Sequence, residues 1–322
     1  MYDLCALGEL LIDFTPSGTD SGGSLLFGRN PGGGVANMAA MFANLGGRAA
    51  FVGKVGDDAF GRFLEKTLRD AKVDTAGLVK DPAFLTTLAI VQLEENGERD
   101  FSFYRREGAD LMFTWEEVDR SIIDASRVFH FGAVSVSDEP CRTTVKFAAE
   151  YAKSRGKIIS YDPNYRPFLW KSDDEAKTEI GNLIPMADVL KVSEEEMFFL
   201  TGSDRPEEGA RILLERGPAI VLVSLGARGA FFLCAGGGGY VDAYRLKTVD
   251  TTGAGDAFLG ALHWRLRGKN LDALKTVAPS ELRDAASFAC AAGSLTTTKK
   301  GGIPAMPTLA EIEALRNDVP RV

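Results

Sequence analysis

The chain has 322 residues, 45% of them apolar and 25% charged, proportions of an ordinary globular protein that can bury a large core. Its length exceeds one average domain, yet large α/β enzymes of this size often share a single core, so one domain over residues 1–322 with an excursion is expected. With 37 Lys and Arg against 45 Asp and Glu, the net charge of −8 repels phosphate backbones and anionic lipid, which excludes nucleic acid and membrane surfaces as expected partners.

In chain order, Leu4 to Glu9 reads as a short buried strand, followed by Asp13 and a polar, glycine-rich run from Pro16 to Gly34 that reads as loop. From Val35, small apolar residues at helical spacing (Ala36, Ala39, Ala40, Ala43) predict a closely packed helix that stops at Gly46-Gly47. Ala49 to Gly53 is the next strand and Phe60 to Leu68 the next helix, an alternation that implies right-handed crossovers and a mostly parallel sheet. Between Thr86 and Arg105 two strand-like runs flank Glu95-Asn96-Gly97-Glu98, a hairpin signal. This ribbon (about 84–108) and the segment about 14–30 are expected to project together as a small lid. The alternation then resumes with strands at Val128–Phe131, Lys157–Tyr161, Val189–Val192 and Ala219–Ser224, and a hairpin through Ala230–Leu233. Helices are expected at Cys141–Lys153, near Asp173–Ile184, at Glu194–Leu200, Gly255–Arg267 and Glu281–Leu295.

Cys5, Cys141, Cys234 and Cys290 are far apart, with no CxxC pair and no His at metal-ligand spacing, so neither a zinc site nor a disulfide framework is expected. The run from Met1 to Phe14 carries three carboxylates and no basic n-region, and no stretch reaches membrane-span length; a reducing cytoplasm is the expected location. His130 and His263 are the whole histidine complement, which directs the search for a general base toward carboxylates.

The most informative string is Asp250-Thr251-Thr252-Gly253-Ala254-Gly255-Asp256, a loop entering an apolar helix. Gly253 and Gly255 offer no side chains to block a ligand, and their N–H groups with that of Ala254 can meet an anion at the positive end of the helix. Asp256 beside such a nest reads either as a helix-start carboxylate or as the base that deprotonates an alcohol while a phosphoryl group arrives. The chain lacks both GxxxxGK[ST] and a GxGxxG after a strand, so another phosphate-binding fold is required.

This string, together with Asn30-Pro31-Gly32-Gly33-Gly34-Val35-Ala36-Asn37 running to Gly53-Lys54-Val55-Gly56-Asp57-Asp58, resembles the two signature regions of the PfkB (ribokinase-like) carbohydrate kinases. The resemblance covers nearly the whole chain and is strongest to the fructokinase branch. It implies a ribokinase-like three-layer α/β/α sandwich with a mainly parallel central sheet and a small β lid. It also implies ATP with Mg2+, K+ as a further cation, and direct in-line transfer from ATP to D-fructose. Under it Asp256 is the base, Gly253, Ala254 and Gly255 hold the phosphoryl group, and Arg166 in Asp162-Pro163-Asn164-Tyr165-Arg166 lies near the phosphate. Asp13, Gly33, Gly34 and Asn37 match the sugar-binding positions, and Phe103 and Arg105, spaced two apart on the ribbon, are the expected lid contacts. Glu196 would organise magnesium, in a segment where Ser193 replaces the family's Asn and which also reads as a helix cap. Ser224 and Gly226 fall on the nucleotide side, Cys290 replaces an Asn that relatives often carry there, and Asp250 with Thr252 would hold the monovalent cation. A related acceptor (2-keto-3-deoxygluconate or an aminoimidazole riboside) and a non-catalytic sugar sensor remain the alternatives, and the ribbon suggests a homodimer through the lids.

Overall fold

The computed structural model describes residues 1–93 and 99–318. Its elements run β1 (Leu4–Leu7), β2 (Leu11–Thr19), β3 (Leu25–Gly32), α1 (Gly34–Asn44), β4 (Ala49–Gly56), α2 (Ala59–Asp70), β5 (Asp74–Asp81), β6 (Leu88–Leu93) and β7 (Arg99–Tyr104). There follow α3 (Arg120–Asp124), β8 (Val128–Gly132), α4 (Cys141–Ser154), β9 (Ile158–Asp162), α5 (Asp173–Leu183), β10 (Val189–Ser193), α6 (Glu194–Thr201) and α7 (Pro206–Leu214). The chain ends with β11 (Ile220–Ser224), β12 (Ala230–Cys234), β13 (Gly237–Val241), α8 (Ala254–Arg265), α9 (Leu271–Lys275), α10 (Pro279–Thr296) and α11 (Leu309–Asp318).

Nine strands form one sheet in the order β13-β12-β11-β10-β9-β8-β1-β4-β5, parallel from β11 to β5 and closed at the other edge by the antiparallel pair β12 and β13. Alternation along each strand feeds two cores. Leu4 and Ala6 of β1 join one apolar cluster with α1, α8 and α10, while Cys5 and Leu7 join the other with α4, α5 and α7. The result is the expected three-layer α/β/α arrangement with a mainly parallel sheet.

The second sheet, β3-β2-β6-β7, is the lid. The run from Pro16 to Gly34 is no loop, because Leu11 to Pro16 pairs with Phe27 to Gly32 in antiparallel register and β2 also pairs in parallel with β6. Much of this pair is half-buried or exposed, so it never needed the apolar alternation by which a strand announces itself. The ribbon at β6 and β7 forms as expected, with Ala89 opposite Phe103, while the turn Glu95-Asn96-Gly97-Glu98 lies outside the described residues. β5 escaped the sequence reading for a similar reason, since an edge strand tolerates its charged Asp74, Lys80 and Asp81. Asp58 ties lid to core: one oxygen caps α2 through Phe60 N and Gly61 N, and the other accepts Thr86 N at 2.8 Å.

Candidate active site

The site grows from the start of α8. Gly253 takes the left-handed conformation there (φ 78°), and no side chain caps the helix. The first N–H groups of a helix have no intrahelical partner, so this end offers donors and positive potential to an anion. A side chain at Gly253 would also press on Gly302, whose Cα lies 3.0 Å from the ideal Cβ position. Asp256 follows in the first turn. Asn37, buried in α1, donates from Nδ2 to Asp256 Oδ2 at 2.8 Å and so fixes the carboxylate's direction.

Two cavities meet at this point. One, of about 320 Å³, lies between lid and core and is lined by Glu9, Asp13, Asn37, Phe103, Arg166 and Asp256, among others. The second, of about 400 Å³, is lined by Ser224, Gly226, Tyr244, Phe258 and Cys290, and more of its wall is apolar. Thr251 and Gly255 line both. A polar chamber joined to an apolar one through a glycine at a helix N-terminus suits a polyhydroxylated acceptor on one side and a nucleobase on the other, with the phosphates between.

Electrostatics set the carboxylates apart. Burial pushes the Asp256 pKa up to about 6, the Asp162 charge adds to this, and the Asn37 amide, Lys191 and Arg166 oppose it. Burial likewise raises Asp13 to about 6; Arg166 opposes that shift, while Asp250, Asp256 and Glu9 reinforce it. A carboxylate near 6 is ionised at neutral pH and far more basic than an exposed one, which suits proton abstraction.

The structure gathers most of the expected residues: Asp13, Gly33, Gly34, Asn37, Phe103, Arg166, Asp250, Thr252, Gly253, Gly255 and Asp256 all line the first cavity. Gly33 has φ 112°, and a Cβ there would strike the Glu9 carbonyl; at Gly34 it would strike Asn164. Ser224, Gly226, Ala254 and Cys290 line the second. Ala254 therefore faces the apolar side, and its N–H donates to Thr251 O at 3.3 Å, so Gly253 and Gly255 are left as the lining glycines of the nest.

Three expected residues stand elsewhere. Arg105 lies beyond the end of β7, so strand alternation no longer places it beside Phe103; it turns inward, pairs with Asp110 at 2.8 Å and donates to Ser137 Oγ at 2.7 Å. Ser193 and Glu196 form a reciprocal capping box on α6 and line neither cavity. Glu196 accepts Tyr165 N at 2.6 Å on one oxygen and Ser193 N at 2.7 Å on the other, so both oxygens serve the backbone.

Sequence reading missed Glu9, Asn30, Asn164 and Lys191. Glu9 closes the strand β1 run and holds the turn into α1, accepting Gly34 N on one oxygen and Ser135 Oγ on the other, each at 2.9 Å. Asn164 adopts positive φ (47°) in a turn where its N–H donates to Asp162, a conformation Asn tolerates. A polar residue inside an apolar strand was the available signal for Lys191.

Comparison with known proteins agrees with this geometry. A family described as pfkB family carbohydrate kinase matches residues 1–309. Fructokinase-1 of Zea mays is 45% identical over 310 residues, covering 95% of each chain. A solved fructokinase with bound ATP from Xylella fastidiosa superimposes with TM-score 0.91 at 31% identity, covering 98% of each chain. Another, from Vibrio cholerae O395 in a form with fructose, ADP and calcium ion, gives TM-score 0.86 at 34% identity over 98% of this chain and 99% of that one.

Proposed function

Since the chain belongs to the pfkB family of carbohydrate kinases, we propose that it transfers the γ-phosphoryl group of ATP to D-fructose, at the 6-hydroxyl. It is a phosphotransferase with an alcohol acceptor, and the relatives named fructokinase point to the sugar. The observation that carries the reading is Asp256, aimed by Asn37 into the polar cavity one residue after the glycine shared by both cavities.

In this reading Asp13 and Asn37 hold sugar hydroxyls, Gly33 and Gly34 let the sugar approach the backbone, and Phe103 covers it from the lid. Asp256 takes the hydroxyl proton as the sugar oxygen forms its bond to phosphorus. The bond from the γ-phosphorus to the bridging oxygen breaks, its electron pair leaves with ADP, and the N–H groups at Gly253 and Gly255 stabilise the transferring group. Arg166, on the exposed rim, supplies positive charge to the phosphates. The lid excludes water that would compete with the sugar. Cys290, Ser224 and Gly226 receive the nucleotide.

Magnesium, when bound, neutralises triphosphate charge. Among the described residues no group of three or more His, Cys, Asp or Glu is placed to hold a metal ion, and both Glu196 oxygens are engaged by backbone, so a magnesium ion would be held chiefly by the triphosphate itself. Asp250 fits a monovalent-cation loop better. It accepts Thr252 N at 3.0 Å and Gly301 N at 3.0 Å, folding two backbone segments whose carbonyls are the hard oxygen ligands such an ion takes.

Residues 1–322 form one kinase unit with lid segments about 14–30 and 84–108. The edge strand β3 exposes Leu25, Leu26 and Phe27, which supports a homodimer through the lids. Among the described residues no helix is long and apolar enough to cross a membrane, and the four cysteines lie buried and far apart in sequence, which supports a reducing cytoplasm.

ADP release measured across fructose, ribose, 2-keto-3-deoxygluconate, adenosine and aminoimidazole riboside, with ATP and magnesium and with or without potassium, tests the reading. Turnover on fructose alone is the expected result. Turnover on another member would replace the acceptor and keep the mechanism, and sugar binding without ADP would turn the protein into a sensor.

A further inference from the structure

One group beside the phosphoryl site has no part in the chemistry above. Lys191 lies within β10 between buried Leu190 and Val192, and alternation sends it with Val189 to the face of the sheet that carries α8. An ammonium thus occupies a position that a buried parallel strand normally fills with Val or Ile. Its side chain is 7% exposed, yet it lines the same cavity as Asp256. It also lies against the anion nest, because a Cβ built on Gly255 would stand 3.1 Å from Nζ. An ammonium carries three donors. Among the described residues one partner meets them, Asp162 Oδ2 at 2.9 Å. A buried cation with unmatched donors is costly, and an anion arriving at Gly253 and Gly255 would match them.

We propose that Lys191 is a further catalytic residue whose ammonium binds an oxygen of the phosphoryl group as it passes from ATP to the acceptor. The proposal rests on reading the site as a phosphoryl-transfer centre. Lys191 forms and breaks no covalent bond and keeps its three protons; the proton that moves goes from the acceptor hydroxyl to Asp256, and the departing electron pair goes to ADP. A fixed charge in a water-poor site stabilises developing negative charge with no reorganisation at the moment of reaction. Burial pulls Lys191 toward its neutral form, but Asp162, Glu196 and Asp256 outweigh this and hold its pKa above that of an ordinary lysine. Two cations then flank the nest, Arg166 from the exposed rim and Lys191 from the buried floor.

The test compares Asp162→Asn, in which the Glu196 and Asp256 carboxylates still favour the charged ammonium, with the double variant Lys191→Gln/Asp162→Asn, which replaces the ion pair by an amide pair. Steady-state kinetics use the acceptor that the ADP-release panel identifies. Calorimetry measures ADP alone and ADP with magnesium, aluminium fluoride and that acceptor, a mimic of the group in flight. The expected result is Asp162→Asn within about tenfold of wild-type kcat and the double variant lower by about 10²–10³-fold, with KM for ATP within about threefold. Its affinity for the aluminium fluoride complex should fall about a hundredfold, with ADP alone unchanged. Equal kcat in the two variants, or an unchanged affinity for the mimic, would make Lys191 a structural partner of Asp162 and overturn the proposal. A wild-type chain that turns over no acceptor would instead overturn the reading beneath it, so the two failures appear in different proteins.

Discussion

Asp256, the proposed base, would meet opposite demands from activity and stability. Its folded pKa of about 6 lies above the roughly 3.9 of an unfolded Asp, so the folded state binds a proton more readily. Stability therefore falls as pH rises from about 4 to about 6, and the full penalty is present above that range. Asp256→Asn should nearly abolish turnover yet raise unfolding free energy at pH 7.5 by about 3 kcal/mol, with no gain at pH 4. Denaturant melts at the two pH values check this, and an active Asp256→Asn protein would remove the base assignment. In the wild type, kcat/KM should drop at least tenfold per unit below about pH 6. Asp13 titrates in the same range and steepens the limb, a slope that a pH–rate profile reads directly. Arg105 belongs to a different class of residue. With its side chain 6% exposed and Asp110 1% exposed, Arg105→Ala leaves a buried lone carboxylate and should cost about 3–5 kcal/mol in a urea melt.

At the scale of elements, α6 shows how one string can satisfy two readings. Ser193-Glu194-Glu195-Glu196 fits both a capping box and a magnesium-side motif, and the hydrogen bonds realise the cap. Ser193→Ala should lower stability by about 1 kcal/mol while KM for ATP stays within twofold; a tenfold rise in KM with unchanged stability would restore a nucleotide role. α4 was legible because burial follows its helical period, and α1, buried from Val35 to Ala43, because small helix-forming residues run to a strong stop at Gly46-Gly47. β2 and β3 were not, since most of their length is half-buried or exposed and so has no buried face to impose an alternation. The placement of Arg105 failed at an element boundary: the period of two holds only while the strand lasts, and β7 ends at Tyr104.

For the whole molecule, the lid is where the proposed association would occur. Leu25, Leu26 and Phe27 on the edge strand β3 are exposed, and a second copy would cover them. The proposed dimer predicts a light-scattering mass of twice the chain at micromolar concentration, reduced to one chain by Leu26→Glu without loss of helical circular dichroism. A monomeric wild type would end that reading. The lid also walls the first cavity, while the main sheet supplies its floor: Glu9 just beyond the carboxyl end of β1 and Lys191 of β10 on the face beneath α8, near where open α/β sheets place ligands.

By itself, the sequence determined the layered architecture, the lid's approximate place, and the glycine-rich helix start with its carboxylate at Asp256, because glycine stops, apolar periodicity and a helix-start motif are local signals. Only the tertiary structure decided that Glu9 holds the turn at Gly34, that Arg105 leaves the cavity for Asp110, and that Lys191 stands under Gly255. Those are contacts between residues up to 64 positions apart, and local periodicity carries no information about which distant charge will meet which. The sheet order makes that choice, because it brings β10 beneath α8 and so puts a lysine where its neighbours in sequence call for an aliphatic side chain.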